Sequence, residues 1–184
     1  MRILCCGDLH MGRRSSRVPE EIDGRDFACA TAFDTLVEIA LRERVELVLL
    51  AGDVVDRANR YFEAFGPLES GLARLAAAGV VTCAVAGNHD FDVLPRLAVA
   101  VAPERFHLLG EGGVWERRTI ELASGARLHV DGWSFPREHV MTSPLDDYDP
   151  SRFGSTEDSG LPVIGLLHAD TASTESRYAP TPVE

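Results

Sequence analysis

Glu46-Leu47-Val48-Leu49-Leu50-Ala51-Gly52-Asp53 is a continuous apolar run that stops on a glycine followed by a carboxylate. A run of this kind reads as a strand buried on both faces. The same ending occurs on either side of it. Arg2 to Cys6 is a strand-like run closing on Gly7-Asp8, and Val80 to Ala86 closes on Gly87-Asn88. Helical patterns separate the three. Asp26 to Arg44 places Phe27, Ala30, Phe33, Val37, Ala40 and Leu41 on one stripe, and Phe62 to Ala78 ends at Gly79, a residue suited to a left-handed cap. Gly66-Pro67 is expected to break or kink the start of that second helix. Leu94 to Val101 reads as a third, short helix, with Pro95 tolerated in its first turn. Strands alternating with helices imply βαβ units and a parallel sheet covered on both faces. Ligands of open α/β sheets bind beyond the carboxyl ends of the strands, so polar groups at three such ends are expected to converge.

The pattern changes after residue 112. Val114 to Glu116, Thr119 to Leu122 and Arg127 to Trp133 are strand-like, with Ser124-Gly125 as a hairpin turn, and suggest antiparallel sheet. Pro162 to Leu167 is one more buried strand and delivers His168. Residues 143–160 form an acidic loop rich in Pro, Ser and Gly, of the kind that acts as a lid or is disordered. The stretch from Ala169, and 171–184 in particular, reads as a polar tail with no core role. No internal repeat and no second domain is visible, so residues 1–170 are read as one unit.

Composition narrows the class. The 184 residues carry a formal net charge of −11, and all 18 basic residues are arginine. A whole-surface basic footprint for nucleic acid is therefore absent, although local basic loops remain possible. No apolar stretch is long enough to span a membrane, and the N-terminus lacks the apolar core of a signal peptide, so a cytoplasmic location is expected. Cys5, Cys6, Cys29 and Cys83 include no C-x-x-C pair and read as free thiols packed in strands and a helix.

The strand ends carry the chemistry. Asp8-Leu9-His10 places two ligand types two residues apart, which lets both point to one side just past a strand. Asp53 and Asp56 follow the second strand, Asn88-His89-Asp90 the third, and His168 a later one. One aspartate at a strand end is usually a turn former or a helix cap. The combination is different. Two carboxylates about 4 Å apart repel by roughly 4 kcal/mol at an effective dielectric near 20. Arg57 could neutralise one of them, but would not explain two histidines and an asparagine at the same edge. Mixed oxygen and imidazole donors suit manganese, iron or zinc.

These residues also carry a resemblance. Gly7-Asp8-Leu9-His10, Gly52-Asp53-Val54-Val55-Asp56-Arg57, Gly87-Asn88-His89-Asp90 and Gly165-Leu166-Leu167-His168 resemble, in order, four signature motifs of the calcineurin-like metallophosphoesterases. The start Met-Arg-Ile-Leu, the run from Asp8 to Arg13 and the segment Val85 to Asp90 resemble the SbcD-type DNA repair exonucleases. The resemblance implies an α/β fold of the metallophosphoesterase type, an α-β-β-α sandwich. It implies two divalent ions, with manganese expected and iron or zinc as alternatives. Asp8 and His10 would hold the first, Asp53 would bridge, and Asn88 and His168 would hold the second. His89 would stand beside the scissile phosphate and Asp90 would orient it, with Asp56 and Arg57 as supports behind the ligands. Two ions about 3.5–4 Å apart would activate a water for in-line attack on phosphorus. Arg13, Arg14 and Arg17 would either hold substrate phosphates or be solvated loop arginines. DNA as substrate and an SbcC-type ATPase as partner follow from the same resemblance. A phosphatase or phosphodiesterase for small substrates, and an inactive fragment serving as an interaction module, are the alternatives.

The chain departs from the family pattern: it contains no Gly-His-x-His, the motif that would add a histidine to each metal. A domain truncated before its last strands, weak or partial metal occupancy and an unpaired sheet edge open to homodimer formation are therefore expected. His107, His129 and His139 are read as structural or exposed, although His129 and Asp131 on one strand face imitate a ligand pair without a third partner. Trp115 and Trp133 are read as sheet packing.

Overall fold

The computed structural model describes residues 1–13, 29–58, 61–101, 104–154 and 160–182. Two sheets stack on each other. β1 (Ile3–Cys6), β2 (Leu47–Ala51), β3 (Val81–Val85) and β4 (Phe106–Leu108) lie side by side in that order, all parallel. β5 (Glu116–Glu121) and β6 (Arg127–Trp133) form an antiparallel hairpin, and β7 (Val163–Leu167) joins β6 in parallel. Helices α1 (Cys29–Arg42), α2 (Phe65–Ala77) and α3 (Leu94–Val101) complete the order.

Strand periodicity decides which face meets what. Val48, Leu50 and Ala84 point to the helical side and pack with Phe33, Val37, Leu72 and Leu97. Leu47, Leu49, Val81, Cys83 and Val85 point the other way and pack on Ile120, Leu128, Val130 and Leu166 of the second sheet. β2 and β3 are thus covered on both faces, by helices on one and by the second sheet on the other, whereas Cys5 of β1 stays exposed. Burial of Cys83 between the sheets pushes its thiol pKa up to about 12.

Several sequence expectations are corrected here. β4 was not expected; it has three residues. The two strands expected at 114–116 and 119–122 are one, because Arg117 and Arg118 continue the ladder against Asp131 and Val130. The second helix begins with a 3₁₀ turn, Tyr61–Ala64, and Pro67 sits in the first turn of α2, where a missing N–H costs nothing. Of the first expected helix, Asp26 to Ala28 lie outside the described residues.

The 143–160 segment is not a bare loop where it is described. It makes two 3₁₀ turns, Pro144–Asp147 and Pro150–Phe153, across the outer face of the second sheet. Trp115 Nε1 donates to Pro144 O at 2.9 Å, and the Trp115 and Tyr148 rings meet at 4.7 Å. Residues 155–159 lie outside the described set. The segment read as a polar tail also has a core role: Ala179 is fully buried with Trp133, Phe135 and Val140, and Tyr178 and Pro180 bridge to Val140 and Asp170. Among the described residues, no helix is long and apolar enough to cross a membrane.

Candidate metal centre

The first three strands of the parallel sheet end at the same level, so their following loops meet. The loops after β1 and β2 are stitched together by backbone bonds: Asp8 N to Gly52 O at 3.2 Å, His10 N to Asp53 O at 2.8 Å, Met11 N to Val54 O at 2.9 Å and Asp56 N to Met11 O at 2.9 Å. This stitching requires unusual backbone. Asp8, His10 and Asp53 have φ of 54°, 46° and 50°, the left-handed region that non-glycine residues enter at a cost of about 1–3 kcal/mol each. Three strained residues in one cluster mark the place where the chain gives up stability for geometry.

The third loop closes on the same point. A Cβ on Gly87 would lie 2.1 Å from Asp53 Oδ1, and one on Gly52 would lie 2.6 Å from His168 Cβ. The glycines noticed in the sequence are therefore the gaps through which Asp53 and His168 approach. His89 N donates to Asp53 Oδ1 at 2.9 Å.

Asp53, 2% exposed, is the centre of the cluster. Its Oδ2 lies 3.6 Å from His10 Nε2 and 3.5 Å from His168 Nε2. His10 Nε2 is also 3.7 Å from Asp8 Oδ1, and Asp8 is largely exposed. On the other side of His10, Nδ1 is buried without a hydrogen-bond partner, 4.0 Å from Asp56 Oδ2. His89 Nδ1 lies 3.9 Å from Asp56 Oδ1, and the His10 and His89 rings meet edge-on at 4.8 Å. Asp8, His10 and Asp53, and likewise His10, Asp56 and His89, offer ligand atoms within 4.8 Å of one another. Asn88, 8% exposed, is held between Gly87 and His89 at the same edge.

The electrostatics fit a cation. His168 Nδ1 sits 2.9 Å from Ala51 O, a contact that only an N–H can make, so in the neutral ring the lone pair is on Nε2 and faces the Asp53 carboxylate. Two acceptors at that distance need something positive between them. His10 is held toward its neutral form, first by burial and also by His89, against the pull of Asp53, Asp56 and Asp8. Arg57 does not relieve the crowding: its guanidinium pairs with Glu138, approaches Asp92 Oδ2 at 3.8 Å and lies 4.8 Å over the Phe91 ring. The donor set, imidazole nitrogens crowded beside carboxylates with the His168 lone pair aimed at Asp53, therefore matches a divalent ion of the manganese, iron or zinc type.

One expected role changes. Asp90 was expected to orient His89, but its carboxylate is fully buried and accepts from Gly87 N at 2.7 Å, Val54 N at 2.8 Å and Val55 N at 3.2 Å. It ties the second and third loops together. Burial and then the Asp53 charge push its pKa up to about 7, against those amides. The carboxylate beside the His89 ring is Asp56. Sequence reasoning also passed over Ser134, which accepts from Ala86 N at 2.8 Å and donates to Leu109 O at 2.6 Å, pinning the third loop to the second sheet. A serine just past a strand carries no signal of that kind. Arg13 is exposed in the first loop, whereas Arg14 and Arg17 lie outside the described residues. The imitation ligand pair proves structural. Asp131 takes Arg117 in a double hydrogen bond, both contacts 2.7 Å, and His129 Nδ1 meets Thr119 Oγ1 at 3.1 Å.

Comparison with known proteins places this site in context. The profile of the calcineurin-like phosphoesterases matches residues 1–171. An uncharacterized metallophosphoesterase of Bacillus subtilis, YhaO, is 27% identical over 94% of this chain and 42% of its own length. The D component of the nuclease SbcCD from Rhodobacter capsulatus is 31% identical over 97% of this chain and 44% of its own. The chain thus spans less than half the length of these curated relatives. The crystal structure of TT1561 of Thermus thermophilus is similar in fold, with a TM-score of 0.51 at 14% identity over 93% of this chain and 68% of that one.

Proposed function

Because the chain belongs to the calcineurin-like phosphoesterase family, we propose that it hydrolyses phosphodiesters with two divalent ions, that its substrate is DNA, and that manganese is the working metal. The observation that carries the reading is the position of Asp53 Oδ2 between two imidazole nitrogens, at 3.6 and 3.5 Å. Asp8, His10 and Asp53 would hold one ion, and Asp53, Asn88 and His168 the other. When bound, such ions lower the pKa of a water and offset charge on the attacking and leaving oxygens of an in-line displacement.

The rest is done by the chain itself. His168 is oriented by its Nδ1–H on Ala51 O, so its Nε2 stays available as a ligand atom. His89 is the most exposed imidazole of the cluster, at 40%, and is free to meet a substrate; its Nδ1 faces Asp56 Oδ1, a carboxylate that would steady the imidazolium, whose Nε2–H would pass to a leaving oxygen and leave the ring neutral. Asp90 keeps the loops in register through three backbone amides. The similarity to the D component of a nuclease supports DNA as substrate and an SbcC-type ATPase as partner.

The test is hydrolysis of bis-p-nitrophenyl phosphate with added manganese, followed by a linear DNA duplex. Turnover that disappears in Asp53→Asn and His89→Ala supports the reading; near-normal turnover in manganese-supplemented His89→Ala removes His89 from it. Turnover of p-nitrophenyl phosphate with inert DNA would shift the assignment to a small-substrate phosphatase.

A further inference from the structure

Beside the metal cluster lies a cleft of about 600 Å³ lined by Arg57, Ala58, Asp92, Val93, Arg96 and Leu97. Its size is within the ordinary range for small-ligand sites. It begins one residue beyond Asp56, and Arg57 N donates to His89 O at 3.2 Å, so the cleft and the His89 loop are joined directly. The lining is chemically mixed. Ala58, Val93 and Leu97 give an apolar wall. Arg57 is already committed to Glu138 and the Phe91 face. Arg96, by contrast, is exposed on α3 and makes no ion pair among the described residues.

Asp92 supplies the second, independent feature. Its Oδ1 is buried and has no hydrogen-bond partner, while Oδ2 is 3.8 Å from Arg57 Nη1, beyond hydrogen-bond reach. A buried acceptor left unpaired is unusual and asks for a donor. The carboxylate torsion is broad and two-fold, so rotation about χ2 can present either oxygen to the cleft. A ligand that fits must therefore bring three things: an anionic group for Arg96, an apolar or aromatic face for the wall, and an N–H or O–H for Asp92.

We propose that the cleft holds the nucleotide next to the scissile phosphate, with its phosphate on Arg96, its base against Val93 and Leu97 and a sugar or base donor on Asp92. This rests on the phosphodiester reading above and deepens it, making Arg96 and Asp92 the residues that select nucleotides over simple phosphate esters.

The test uses binding, so it stands apart from turnover. Thymidine 5′-monophosphate and, separately, inorganic phosphate are titrated into the metal-free chain, and the methyl and amide NMR shifts of Ala58, Val93 and Leu97 are followed. Saturable shifts with the nucleotide are expected, with much smaller ones for phosphate. Arg96→Glu is expected to weaken the nucleotide by about tenfold or more, since a charge-assisted contact turns repulsive. Arg105→Glu, the same charge change at the far end of the sheet, should leave binding as it was. Equal affinity in Arg96→Glu and the parent, no shift at these residues up to about 10 mM nucleotide (a binding free energy too small to matter), or an inorganic phosphate titration indistinguishable from the nucleotide would each overturn the proposal. A chain that binds the nucleotide through Arg96 but hydrolyses no diester keeps the cleft and loses the proposed reaction.

Discussion

Asp53, at the tip of β2, and Asp131, within β6, are nearly equally buried, at 2% and 0% exposure, yet their surroundings are opposite. Asp131 is satisfied: Arg117 grips both oxygens at 2.7 Å, Tyr148 OH donates at 2.6 Å, and the Arg117 guanidinium is stacked 4.5 Å from the Phe153 ring. Asp53 has one backbone donor, two imidazole nitrogens beside its other oxygen and a strained φ of 50°. A buried carboxylate that owns its counter-charge holds a structure together. One that lacks it, on strained backbone, is held ready for something that arrives later. The difference separates structure from function more sharply than burial or residue type.

Exchanging each aspartate for asparagine should break the comparison in opposite ways. Asp53→Asn is expected to lower manganese-supported diester hydrolysis on the order of 10³-fold or more, while metal-free stability is unchanged or raised by about 1 kcal/mol as crowding is relieved. Asp131→Asn leaves Arg117 without its partner and should cost about 3 kcal/mol in urea denaturation. Equal stability losses in the two variants would erase the distinction.

Metal should then separate the two regions by linkage. At a hundredfold excess over its Kd, an ion bound only by the folded chain adds about 2.7 kcal/mol. Manganese is expected to raise the melting temperature of the parent and of Asp131→Asn, but not that of Asp53→Asn. A rise in all three would put the ion elsewhere.

Smaller effects sharpen the structural half. Tyr148→Phe removes one hydrogen bond to Asp131 and should cost about 1–2 kcal/mol, with manganese binding untouched. Loss of metal binding would mean that the strap across the second sheet and the centre are coupled. The cysteines give the mildest test. Burial pushes Cys83 up to about 12, so below that pH its thiolate is scarce, and in the native chain at pH 8 a thiol reagent should label exposed Cys5 and spare Cys83 until denaturant is added. Labelling of native Cys83 would show that the two sheets separate readily.

The first three strands of the parallel sheet were legible because each is a short apolar run ending in glycine and a polar group, a pattern that fixes strand and site edge together. The convergence of Asp8, His10, Asp53, His89 and His168 followed from that geometry. The remainder depends on contacts between distant residues. Asp90 was misread because its partners are backbone amides, two of them in another loop, and amides leave no trace in a sequence. The strap over the second sheet was invisible because Tyr148 and Asp131 are 17 residues apart with nothing local to connect them. The polar tail hid a single buried alanine, Ala179, and strand β4 was too short to show a period.

The central claim is that Asp53 stands in a pocket built for divalent cations, and calorimetric titration of manganese into the metal-free chain tests it most directly. The account predicts binding in the parent that vanishes in Asp53→Asn and survives in Asp131→Asn. A parent that binds no manganese, or an Asp53→Asn chain that binds it equally well, would contradict it.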